Sequence, residues 1–195
     1  MKSAKRLALT TTALAAVTVG TLTGVSAAQS ESAQSTQSAS SAQSSRGLRV
    51  GAEVPDVLKV PDGNRLTGVY SASGVQTYTC TDGAWKLLEP AATLWARKDP
   101  SRRSVALHSR GPVWVSTVDG SAVNAAAVAT SPKTGTIPEL LLQATSTRGT
   151  GVFADVSYIQ RLGTAGGVAP TTACTGTDQV SVPYSATYTF YKPAK

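Results

Sequence analysis

Between Val180 and Tyr191 the chain alternates without a break: Val180, Val182, Tyr184, Ala186, Tyr188 and Phe190 interleave with Ser181, Pro183, Ser185, Thr187, Thr189 and Tyr191. Successive side chains of a strand point to opposite faces, so this stretch places six apolar groups on one side. No single strand can bury such a face, and the rest of the chain must supply partners for it. Pro183 has no N–H to give a ladder, which predicts an edge position or a bulge there.

Further segments carry the same signature. Leu66–Ala72, Val75–Cys80, Trp85–Leu88, Val105–His108, Val113–Val118, Leu140–Thr145 and Val152–Arg161 are rich in Val, Thr and aromatic residues. Turn-forming residues divide them, as in Asp62-Gly63-Asn64, Asp82-Gly83, Arg110-Gly111-Pro112 and Asp119-Gly120. Only Leu140–Gln143 and Ala122–Thr130 also suit a helix. The expectation is an all-β fold, an antiparallel sandwich or barrel of short strands.

The first 46 residues read differently. Lys2, Lys5 and Arg6 precede an apolar, Thr-diluted run from Leu7 to Leu22, and Ala27 and Ala28 follow as small residues suited to cleavage. Residues 1–28 therefore read as a secretory signal peptide, cut after Ala27 or Ala28. The apolar run is short for a membrane span, so no transmembrane segment is expected after cleavage. The basic pair is Lys5-Arg6, not a twin arginine, which favours the general secretory route and a secreted, extracellular product.

Residues 29–46 hold eight Ser and four Gln and no aromatic or branched apolar side chain, the composition of a disordered linker. Residues 47–195 remain as a single β-rich domain. With 41% hydrophobic and 15% charged residues in the whole chain, wholesale disorder is excluded. Three of the 18 basic and none of the 11 acidic residues lie in the signal, leaving 15 against 11, a surplus of +4. That is too small to point to nucleic acid. Neither Asn64 nor Asn124 begins a glycosylation sequon. Cys80 and Cys174, exported to an oxidising compartment, are expected to form a disulfide, with two free buried thiols as the alternative.

Family resemblance enters through ordered motifs: Gly74-Val-Gln-Thr-Tyr-Thr-Cys80, Trp85, Pro90-Ala91, His108, Gly111-Pro-Val-Trp114 and Asp119-Gly-Ser-Ala-Val123. They continue with Leu140-Leu-Leu142, Gly151-Val-Phe153, Tyr158-Ile-Gln-Arg161, Thr164-Ala-Gly-Gly-Val-Ala-Pro170, Cys174 and Val182-Pro-Tyr-Ser-Ala-Thr-Tyr188. Together, from Pro55 to about Tyr191, they resemble the secreted family of domain of unknown function 3455. The resemblance implies no established activity. Some relatives bear a malate dehydrogenase label, but Gly163, Gly166 and Gly167 lack the spacing of a dinucleotide-binding turn and no βαβ pattern surrounds them.

Chemistry-bearing residues are few. His108 is the one histidine, and a catalytic role for it requires an orienting carboxylate such as Asp119 or Asp155. Asp119, Glu139 and Asp155 also allow a carboxylate pair of the glycosidase kind. The histidine and cysteine content supplies no zinc-type ligand spacing, so no metal and no cofactor are expected. Trp85, Trp95, Trp114, Tyr78, Tyr158 and Tyr191 would serve a ligand site where exposed and core packing where not. The basic turn from Arg97 to Arg103 reads as an exposed charged loop. The balance favours a non-catalytic extracellular protein that binds a cell-wall polymer or carbohydrate. The alternative is a small secreted hydrolase using His108 with Asp119 or Asp155.

Overall fold

The structure, a computed structural model, describes residues 53–195. The signal peptide and linker expected over 1–46 lie outside those residues. Eight strands follow one another along the chain: β1 (Asn64–Thr81), β2 (Ala84–Ala96), β3 (Ser104–Ser109), β4 (Val113–Ser116), β5 (Ala122–Ser131), β6 (Glu139–Arg148), β7 (Tyr158–Gly166) and β8 (Gln179–Pro193). Each pairs antiparallel with the next, and β8 pairs with β1, so the sheet closes into an up-and-down barrel. Closure leaves no sheet edge along the seam between first and last strand.

Alternation places the core. Tyr184, Ala186, Tyr188 and Phe190 of β8 are buried inside, as the sequence pattern requires, along with Ala72, Leu94, Ala106, Trp114, Leu142 and Ile159. Pro183 sits where β8 outruns β7: the β7–β8 register ends at Gly166↔Tyr184, and beyond it Pro183 faces only Val75 of β1. The Pro183 carbonyl then accepts from Gly167 N, 2.9 Å away.

Several segment boundaries differ from the sequence reading. Gly74 does not divide two strands; β1 runs through it for 18 residues. A Cβ at Gly74 would meet the Ala91 carbonyl oxygen and Ala92, so the glycine permits close approach of β1 to β2 instead of a turn. Ala122–Thr130 and Leu140–Gln143 are strand, not helix, because pairing of β5 with β6 overrides the helix preference of an alanine-rich run. Residues Val152–Ala154 form a turn that sends the fully buried Phe153 into the end of the barrel, its ring 4.7 Å from that of Phe190.

Outside the barrel, residues 54–60 lie across the sheet. Leu58 packs with Leu141 and Leu162, and its carbonyl accepts from Gln160 Nε2 at 2.6 Å. Gln160 Oε1 in turn accepts from Thr189 at 2.8 Å and Tyr191 at 3.0 Å, so this buried amide is used at both ends.

Cys80 and Cys174 form a disulfide across 94 positions. It ties the long β7–β8 connection to the β1–β2 hairpin, with help from Cys80 N to Asp178 O (2.8 Å), Tyr78 OH to Gly167 O (2.5 Å) and Trp85 Nε1 to Thr172 O (3.0 Å). In the chain-entropy account a loop of this length is worth roughly 4–5 kcal/mol. The paired replacement Cys80→Ser and Cys174→Ser is expected to lower the urea midpoint of unfolding by a corresponding amount, and an unchanged midpoint would contradict the tie.

Candidate functional site

The two ends of the barrel differ. At the end of the β4–β5 turn, the loop over residues 149–157 closes the interior with Phe153 and Val156. Asp119 organises that end: its carboxylate accepts from Ser121 N (3.0 Å), Ser121 Oγ (2.6 Å) and Val152 N (2.8 Å). These bonds, the Ser121 hydroxyl first, hold its pKa well below the usual carboxylate range. Its lone pairs are committed to shaping the turn.

The opposite end is open. A cavity of about 400 Å³ enters the barrel there, its rim formed by Leu87–Pro90 of β2, the Arg110–Pro112 turn and Ala127 of β5. Leu87 is 56% exposed, which marks the boundary with solvent. Farther in, the lining is Gln76, His108, Trp114, Leu142, Arg161 and Tyr188. Its volume falls in the range of small-ligand sites.

Strand register explains how these side chains meet. His108 and Trp114 are direct partners across the β3–β4 hairpin, and their rings stack at 4.2 Å with 4° between planes. Tyr188 meets both edge-on, at 5.4 Å from His108 and 5.5 Å from Trp114. Arg161 pairs with Tyr188 across β7–β8 and with Leu140 across β6–β7. Its Nε and Nη2 both donate to the Pro138 carbonyl, at 3.1 and 2.9 Å. Tyr184 and Tyr188 bring their hydroxyls within 3.4 Å of each other, and burial raises both pKa values.

Two polar atoms here have no partner. Gln76 Oε1 and Trp114 Nε1 are buried and unbonded among the described residues. An unpaired buried donor or acceptor costs about 1–3 kcal/mol. They contrast with Gln160, whose amide nitrogen and oxygen both have partners on the outer face.

His108 Nδ1 lies 3.0 Å from the Val113 carbonyl, which fixes the proton on Nδ1 and leaves Nε2 as an acceptor. Burial lowers its pKa from 6.5 to about 4, against the opposing effect of the Val113 bond and with the Arg161 charge adding to the depression. The ring is therefore neutral at pH 7. A carbonyl, not a carboxylate, orients it.

The structure separates several residues the sequence reading grouped. His108 lies near the open end, whereas Asp119 and the exposed Asp155 lie at the closed end, beyond the length of β4. Glu139, at the start of β6, is engaged with Gly163 N at 2.7 Å and is not brought to Asp119 or Asp155. Of the three tryptophans, only Trp114 lines the cavity. Trp85 holds the β7–β8 connection, and Trp95 lies half-buried with Arg102 over its ring at 5.3 Å. Within the basic turn, Asp99 binds Ser101 N, Arg103 N and Arg103 Nε. Among the described residues no cluster of three or more His, Cys, Asp or Glu side chains stands ready for a metal, and no helix is long and apolar enough to cross a membrane.

Gln76, Arg161 and Tyr188 were not among the sequence candidates. The first two had a signal: each is a polar residue in an otherwise inward-facing series, Tyr70-Ala72-Gly74-Gln76-Tyr78 and Ile159-Arg161.

Residues 97–192 match the model of a family described as protein of unknown function, DUF3455. No curated protein and no solved structure matches the chain.

The histidine generates a test. Between pH 6.5 and about 4 the unfolded chain binds a proton at His108 that the folded barrel does not, so stability falls on acidification through that window. The loss due to this residue reaches about 3 kcal/mol. Urea titrations at pH 7 and pH 4.5 are expected to show a smaller acid-dependent loss in His108→Gln than in the parent, and equal losses would contradict the placement of the ring.

Proposed function

We propose that this protein, a member of the DUF3455 family through residues 97–192, is a non-catalytic extracellular binding protein that takes a small ligand into the open end of its barrel. The observation that carries the reading is the cavity, about 400 Å³, which enters the barrel past an exposed rim and is lined inside by Arg161, Leu140 and Leu142. An eight-stranded barrel is just wide enough to hold one small ligand.

Further support comes from what lines the cavity. Among the described residues the walls carry no Ser, Thr or Cys nucleophile, and burial keeps His108 neutral while the Val113 carbonyl orients its ring. Such a lining offers hydrogen bonds and apolar contact to a guest. Secretion is supported by the signal-like start of the chain and by the disulfide, which suits an oxidising compartment. A carbohydrate or wall-derived partner would enter this mouth as a small molecule or a chain end, since the opposite end is closed by Phe153.

The test uses the neutral fluorescent probe N-phenyl-1-naphthylamine. Enhanced fluorescence that saturates at one probe per protein is expected, and Ala127→Trp, which adds bulk at the mouth, is expected to weaken binding at least tenfold with little change in melting temperature. Absence of saturable binding both of this probe and of its sulfonated analogue 8-anilino-1-naphthalenesulfonate to the parent protein, or undiminished binding to the variant, would contradict the reading.

A further inference from the structure

Arg161 gives the cavity a chemical preference. It is half-buried on the inner wall of β7, and among the described residues no salt bridge reaches it. Two of its five N–H donors go to one neutral carbonyl, that of Pro138, and it also hydrogen-bonds the neutral Tyr188 hydroxyl. Its positive charge is felt by His108, Tyr78, Tyr184 and Tyr188, none of which supplies a counter-charge near neutral pH.

The other charged groups of the lining are Arg110 and Glu89, both at the rim. They offset one another, so Arg161 sets the net charge of the cavity. Glu89 stands on β2, separated from β7 around the barrel by β1 and β8. Trp114 and Gln76 also border the cavity, but their buried Nε1 and Oε1 atoms, which have no partner among the described residues, lie behind its accessible surface. Leu140, Leu142, Ala127 and the Trp114 and Tyr188 rings make the remaining surface apolar.

Resting on the binding role above, we infer that the ligand is a small organic anion, with a carboxylate- or sulfonate-like head held by the Arg161 guanidinium and an apolar body packed against Leu140 and Leu142. A guanidinium presents parallel N–H groups that match the two oxygens of such a head. In a half-enclosed, largely apolar site the charge attraction is screened less than at the surface.

Two probes with the same aromatic body separate this inference from the binding role itself. N-phenyl-1-naphthylamine is neutral, and 8-anilino-1-naphthalenesulfonate is the same framework carrying a sulfonate. The parent protein is expected to bind the sulfonate at least tenfold more tightly than the neutral probe. Arg161→Met is expected to weaken the sulfonate at least tenfold and to change the neutral probe less than threefold, and Arg161→Lys, which keeps the charge, to restore part of the loss. Should Arg161→Met fail to fold, the parent's preference between the probes and its retention in Arg161→Lys decide the matter. Equal binding of the two probes, or a sulfonate preference that survives in a folded Arg161→Met, overturns the anion assignment while leaving the binding role intact. Binding of neither probe overturns both.

Discussion

β8 hydrogen-bonds to β1 from Asn64↔Pro193 to Thr79↔Gln179, and this seam makes an interior out of what would otherwise be one face of a curved sheet. Both strands are long, 18 and 15 residues, so the seam extends past the shorter strands opposite, β3 and β4, of 6 and 4 residues. The unequal lengths matter. On the short side the barrel wall ends at the Arg110–Pro112 turn, and the interior opens there, while the β1–β2 hairpin projects beyond the mouth and is held by the disulfide to the β7–β8 connection.

The two ends of the interior are then filled by different chemistry. Toward the closed end the packing is aromatic and complete: Phe153, Phe190 and Tyr70 meet ring to ring, and Asp119 fixes the loop that carries Phe153 by accepting from Val152. Toward the open end the stacked His108 and Trp114 rings stop short of filling the space, and Gln76, Arg161 and Tyr188 leave polar groups along it. A core built only for stability would place apolar side chains at these positions, because an unpaired buried polar group costs free energy. The cost is concentrated at one end of the barrel.

How much of this the sequence held depends on the element. The alternation from Val180 to Tyr191 was legible because strand β8 is half in and half out, and the same period ran through β1 once Gly74 is read as a close approach to β2 and not as a break. β5 was obscured by its alanines: Ala125–Ala127 carry no strand signature of their own, and their conformation comes from pairing with β6. The packing of Leu58 over Leu141 and Leu162 was not legible, since the contact joins residues distant in sequence. The site was partly legible. His108 and Trp114 were candidates, but their stacking depends on hairpin register, and the pairing of His108 with Asp119 or Asp155 set aside the length of β4, which holds them at opposite ends. Inward polar residues in an apolar series, Gln76 and Arg161, were the stronger clue.

The central claim is that the guest lies inside the barrel, and the most direct measurement is of intermolecular nuclear Overhauser effects between a bound aromatic probe and the methyl groups of protein labelled at Ala and Leu. Contacts to Ala127, Leu140 and Leu142, with none to the exposed Leu107, are the predicted result. Contacts to Leu107 on the outer surface, with the interior methyls silent, would contradict it.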